Sequence, residues 1–137
     1  MRIVAGFLRS DEGRAALDRA IEETRLRDGE LLVVHSMKGG ERDEERQVVT
    51  YREEFEQLES RLASEGISYR LVEYARGNSP SEDLLQAAKD EDAGLLVIGI
   101  RRRSPVGKLV LGSNAQDILL QSDCPVLAVK AGGQADQ

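Results

Sequence analysis

Four short apolar runs constrain this chain more than any other feature: Ile3-Val4-Ala5-Gly6-Phe7, Leu31-Leu32-Val33-Val34, Leu95-Leu96-Val97-Ile98 and Val126-Leu127-Ala128-Val129. None alternates apolar with polar residues, as a strand with one wet face does. Such runs suit strands covered on both faces, which points to a parallel sheet with helices packed above and below. A fifth segment, Ser68-Tyr69-Arg70-Leu71-Val72-Glu73-Tyr74, is strand-like in its β-branched and aromatic content but carries Arg70 and Glu73. Those charges place it at an edge of the sheet.

Helical periods fill the intervals. Between residues 11 and 27, Leu17, Ala20, Ile21 and Thr24 recur at helical spacing. Val48, Tyr51, Phe55, Leu58 and Leu62 form one stripe along a longer helix whose other faces carry Glu53, Glu54, Arg61 and Glu65. That repeat is too short for a sustained coiled coil and reads as a packed amphipathic helix. A third helix announces its start with Ser79 as N-cap, Pro80 at the first helical position and Glu82 completing a capping box, so that Leu84, Leu85 and Ala88 face inward. A fourth begins near Gly112-Ser113 and is expected to bury Ala115, Ile118 and Leu119.

Strands and helices thus alternate, and connections of this length force parallel strands with right-handed crossovers. The fold class is α/β, a five-stranded parallel sheet doubly wound by helices. Ligands in such sheets sit outside the carboxyl ends of the strands where the winding reverses, so the loops after the first and fourth strands are the places to look.

At 137 residues one domain is expected, spanning 1–131 with a flexible tail over 132–137. With 40% apolar residues but only two Phe, three Tyr and no Trp, its core must be aliphatic. The net charge of −6 argues against a surface built for nucleic acid or anionic membrane. One cysteine, Cys124, cannot close an internal disulfide, and a lone His35 leaves no Cys/His set for structural zinc. The apolar start is too short for a signal-peptide core, and no run approaches the ~18 apolar residues of a membrane span. A cytoplasmic domain is expected.

Chemistry concentrates after the fourth strand. Residues 99–113 hold four cations and no anion, whereas residues 41–65 hold nine acids and four bases. Gly99 at the strand's end permits close backbone approach, and Gly112-Ser113 at a helix start offers free N–H groups, a hydroxyl and the positive end of the helix dipole. Together these suit a phosphate. On composition alone an equal reading stands beside it, in which the glycines only allow turns and the arginines form a solvated rim. A Walker A loop is absent, because Arg102 and Leu109 stand where it needs a glycine and a hydroxyl, and no G-x-G-x-x-G follows a strand.

Residues 99–114, followed by Cys124-Pro125-Val126-Leu127-Ala128-Val129, resemble the C-terminal half of universal stress proteins, whose ATP-binding members carry G-x2-G-x9-G-[ST] there. Gly99, Gly112 and Ser113 match that motif. The resemblance extends to the Ile3-Val4 strand, Ala15-Ala16-Leu17 in the first helix, Val33-Val34-His35, Gly77-Asn78-Ser79-Pro80 and the fourth strand. It implies a Rossmann-like sheet of strand order 3-2-1-4-5, as in adenine nucleotide alpha hydrolases, and an adenine-nucleotide site (ATP, ADP or AMP, with or without Mg2+). Carried onto this chain, that site comprises Leu8, Ser10, Ser36, Gly99, Arg101, Arg102, Arg103, Gly112, Ser113 and Asn114. It further implies a stress-response role with at most slow hydrolysis, and a homodimer paired through the last strand, Val126 to Val129.

Three positions depart from the family pattern. Arg102 replaces the second motif glycine and puts a bulky cation beside the polyphosphate path; Leu8 stands where nucleotide-binding members have an aspartate; Gly94 replaces the aspartate before the fourth strand. Leu8 and Arg102 favour the alternative function, a dimeric partner-interaction protein that keeps the fold without nucleotide. Nucleic-acid binding through Arg101, Arg102 and Arg103 is the weakest reading, since few aromatics are present for stacking and the rest of the chain is acidic.

The remaining reactive residues read as structural. His35 suits a core or cleft-lining position, and Cys124 a small buried residue. Asp11 and Glu12 complement the first helix's N-terminus, though they could also act on a ligand from there. No carboxylate pair or Ser-His-Asp set is discernible, so fast hydrolysis is not expected.

Overall fold

The computed structural model describes residues 1–8, 10–36, 41–74, 78–101 and 111–131, with residues 41–51 described by their backbone alone. Nine elements follow in order: β1 (Arg2–Gly6), α1 (Asp11–Arg27), β2 (Glu30–Ser36), α2 (Glu41–Ser64), β3 (Tyr69–Tyr74), α3 (Pro80–Asp90), β4 (Leu95–Arg101), α4 (Ser113–Gln121) and β5 (Val126–Ala131). The sheet is parallel throughout and its order is β3-β2-β1-β4-β5. The expected fold class and strand order are both met.

Side chains alternate across the sheet, which explains the unbroken apolar runs. Ile3, Ala5, Leu31, Val33, Leu95 and Val97 meet Ala16, Ala20 and Ile21 of α1 and Phe55, Leu58 and Leu62 of α2 on one face. Val4, Leu32, Val34, Leu96 and Ile98 meet Leu84 and Ala87 of α3 and Ile118 of α4 on the other. Each central strand is dry on both sides.

Local signals set the helix ends. Ser10 caps α1 by accepting from the Gly13 N–H at 3.0 Å, and Asp28 closes it in a left-handed conformation, φ 51°. Ser79 and Glu82 form the capping box read from the sequence, with Pro80 opening α3. The edge strands depart more from expectation. In β5, Ala128 and Lys130 are exposed, so this run is only half covered although its composition matches that of the buried strands. Leu119, expected to be buried, is 43% exposed and its neighbour Leu120 83%. Among the described residues no helix is long and apolar enough to cross a membrane. The tail at 132–137 lies outside the described residues.

Candidate functional site

From β1 the chain winds outward through β2 to β3 on one side, and from β4 to β5 on the other. The winding therefore reverses between β1 and β4, and a crevice opens at their carboxyl ends. It forms a narrow cleft of about 70 Å3 with an apolar floor that includes Gly6, Leu84, Ile98 and Ile118 and a rim that includes Leu8, Glu12, Gly99 and Asn114. A larger groove of about 490 Å3 runs along the outer side of α3 toward Ser122 and Cys124. Its lining mixes Glu82, Asp92 and Asp123 with Lys89 and converges on no single charge, so its size does not make it the site.

The first turn of α1 is wedged into the crevice, and two glycines let it in. A Cβ at Gly99 would lie 2.5 Å from the Glu12 carbonyl carbon and 2.8 Å from its Cα. One at Gly13 would lie 2.5 Å from the Leu8 Cβ. Gly99 thus serves close approach, as expected, but the backbone it admits is that of α1. Gly112 differs: its φ is −69° and a Cβ there would meet no described residue within 4 Å.

Arg101, the last residue of β4, reaches back across the crevice to α1, with one guanidinium nitrogen 2.7 Å from Glu12 Oε1 and 3.4 Å from Asp11 Oδ2. Asp11 and Glu12 occupy the first turn of α1, where their charge also favours the helix dipole. At α4 the arrangement is opposite. Gly112 is the N-cap, no described side chain caps the helix and no acid lies in its first turn. Gly112, Ser113 and Asn114 are all exposed. Open N–H groups and an uncompensated dipole are the features by which a helix start receives an anion.

Of the residues expected at the site, Leu8, Gly99 and Asn114 line the cleft, with Gly112 and Ser113 next to Asn114. Ser10 is engaged as the α1 cap. Ser36 donates its hydroxyl to Asp83 Oδ2 and does not line the cleft. Arg102 and Arg103 lie outside the described residues. His35 packs edge-on against Phe7, which stacks on Phe55, so it borders the core as expected. Cys124 is half-buried, with its sulfur 3.5 Å from the Ser122 hydroxyl.

Glu12, Gly13 and the buried pair Ser81 and Asp83 are absent from the expected site. Gly13 carried the available signal, a glycine within the first helical turn that no propensity argument favours. Ser81 and Asp83 are fully buried at the start of α3, and Ser81 reaches toward Ser79 at 3.1 Å and Asp117 at 3.4 Å. Among the described residues no three His, Cys, Asp or Glu side chains gather as a metal-ligand set.

A parallel doubly wound sheet with an anion-receptive helix start at its reversal point defines a class of α/β ligand-binding domain. The chain belongs to the universal stress protein family, whose model matches residues 1–130. It is 42% identical over 131 residues to a universal stress protein of Mycolicibacterium smegmatis, covering 96% of this chain and 98% of that one. Its fold is similar to that of a universal stress protein from Archaeoglobus fulgidus, with a TM-score of 0.78 and 37% identity over 95% of this chain and 98% of that one. A structure of the universal stress protein from Archaeoglobus fulgidus in complex with dAMP is similar at TM-score 0.73 and 32% identity, over 95% and 98% of the two chains.

Proposed function

We propose that this chain is an adenine-nucleotide-binding regulatory protein of the stress response, with the nucleotide lying along the mouth of the β1/β4 cleft. The observation that carries this reading is the bare start of α4: N-cap Gly112, no side-chain cap, no first-turn acid, and Asn114 turned into the same cleft as Gly99. The phosphate accepts from the α4 N–H groups and the Ser113 hydroxyl, and the apolar floor takes the less polar part of the ligand. The dAMP held by the Archaeoglobus fulgidus relative supports an adenine nucleotide as the ligand class. ATP, ADP and AMP all fit this reading, with Mg2+ following the polyphosphate. Among the described residues no arrangement of acid, base and nucleophile supports efficient turnover, and in this reading occupancy rather than hydrolysis carries the signal.

Calorimetric titration of the purified chain with AMP, ADP and ATP tests this, with saturable binding expected below millimolar concentration. If none of the three binds at millimolar concentration, the nucleotide reading falls and the partner-interaction reading takes its place.

Assembly follows from the sheet edge. Among the described residues β5 pairs with β4 alone and presents exposed Ala128 and Lys130, and α4, the helix that precedes it, carries exposed Leu119 and Leu120. A bare apolar edge strand is an association hazard that pairing with a second copy removes. Light scattering at tens of micromolar should return a dimer mass; a monomer there contradicts the assignment.

A further inference from the structure

We propose that Glu12 accepts the ribose hydroxyls of the bound nucleotide and thereby sets the site's preference among sugars. This rests on the nucleotide reading above and adds the residue that reads the sugar.

Glu12 is the one charged side chain among the described residues that line the cleft. Its Oε1 is shielded from solvent and its one close described partner is the Arg101 guanidinium, 2.7 Å away in an ion pair, while the side chain as a whole keeps 26% of its surface exposed at the cleft. A buried carboxylate oxygen without its hydrogen bonds is costly, and an ionised carboxylate is an acceptor only. The cleft therefore holds a carboxylate with acceptor capacity beyond its ion pair with Arg101. Packing fixes its place, since Gly99 lies against the Glu12 backbone and Gly13 against Leu8, so the first turn of α1 has little room to shift.

The ligand's chemistry selects which group meets it. A carboxylate repels phosphate, and phosphate is drawn instead to the α4 start, whose Asn114 lines the same cleft. The part of a nucleotide that adjoins the phosphate and carries two neighbouring O–H donors is the ribose. Arg101 balances the Glu12 charge, which lets a carboxylate remain close to an anionic ligand. Asp83 also has a buried oxygen without a described partner, Oδ1, but it lies outside the cleft lining, and its Oδ2 accepts from Ser36.

Calorimetry with AMP, 2′,3′-dideoxy-AMP and inosine 5′-monophosphate on the wild type, Glu12→Gln and Glu12→Ala tests the assignment. A hydrogen bond to a charged group is worth ~1.5–3 kcal/mol, so the wild type should bind AMP at least about tenfold more tightly than the dideoxy analogue. That ratio should shrink in Glu12→Gln and approach unity in Glu12→Ala, and because it is a ratio, a general loss of affinity cancels from it. Glu12→Gln keeps the side chain's size and guards against a folding defect in the alanine variant. A wild-type ratio near unity, or a ratio that survives in Glu12→Ala, overturns the proposal while leaving nucleotide binding intact. So does a Glu12-dependent preference for AMP over inosine 5′-monophosphate without sugar discrimination, which would assign Glu12 to the base. Failure of AMP to bind at all overturns the nucleotide reading and this inference with it.

Discussion

The helices that follow β1 and β4 both start at the carboxyl edge of the sheet, and their starts could hardly be treated more differently. The α1 start is closed by its own chain: Ser10 caps it, Asp11 and Glu12 sit on its dipole, Arg101 spans to both acids, and Gly13 and Gly99 pack its first turn against the loop and strand beside it. At α4, Gly112 supplies no cap, the first turn has no acid, and Gly112, Ser113 and Asn114 are exposed. The helix at β3's end, α3, resembles α1, with its capping box and the acids Glu82 and Asp83. Every helix offers the same unsatisfied N–H groups and the same partial positive charge. What differs is whether the chain answers them, and at α4 alone among the starts whose caps are described, no side chain does.

Packing should separate the two starts most strongly. Gly99→Ala forces a Cβ into the Glu12 backbone and should destabilise the fold by ~1–3 kcal/mol or more, the usual cost of overpacking. Gly112→Ala meets no described neighbour and should cost less than ~1 kcal/mol, since alanine is only a poorer N-cap than glycine. Urea unfolding of both variants checks this, and equal losses would remove the packing asymmetry.

Hydroxyl deletions should give reciprocal effects of smaller size. Ser113→Ala should weaken AMP binding by ~1.5–3 kcal/mol at most, the worth of one hydrogen bond to a charged oxygen, and leave stability within ~0.5 kcal/mol of wild type. Ser10→Ala removes the α1 cap and should lose ~1 kcal/mol of stability. Its AMP affinity, measured well below the unfolding transition, should stay close to that of the wild type. Equal losses of affinity in both variants would place the phosphate across the two helix starts rather than at α4.

How far the sequence disclosed this architecture depends on how local each cause is. The Ser79-Pro80-Glu82 start is complete within four residues, and the apolar runs report burial on both faces wherever a strand is central, so α3 and the parallel sheet were legible. The exposure of Ala128 and Lys130 was not, because β5 has the composition of a buried strand and its openness follows from standing last in the sheet. Gly99 was legible as a point of close approach, but its neighbour, the Glu12 backbone, arrives from the far end of the chain. The Arg101 pairing with Glu12 has the same tertiary origin and leaves no trace in spacing. The bare start of α4 was read from Gly112-Ser113, since a missing cap is as local as a present one.

Gly112→Asp addresses the difference between the two starts most directly, because it gives α4 the kind of cap that α1 already has. The backbone at 112 is extended and no described residue lies within 4 Å of a Cβ there, so the carboxylate can accept from the N–H groups of the first turn without displacing a described neighbour. If the α4 start is left bare to receive a phosphate, the unfolding free energy of the free protein, measured in urea, should rise slightly, by a few tenths of a kcal/mol, while affinity for AMP falls at least about tenfold. A variant that gains the stability and still binds AMP as the wild type does would contradict the assignment of the phosphate to α4.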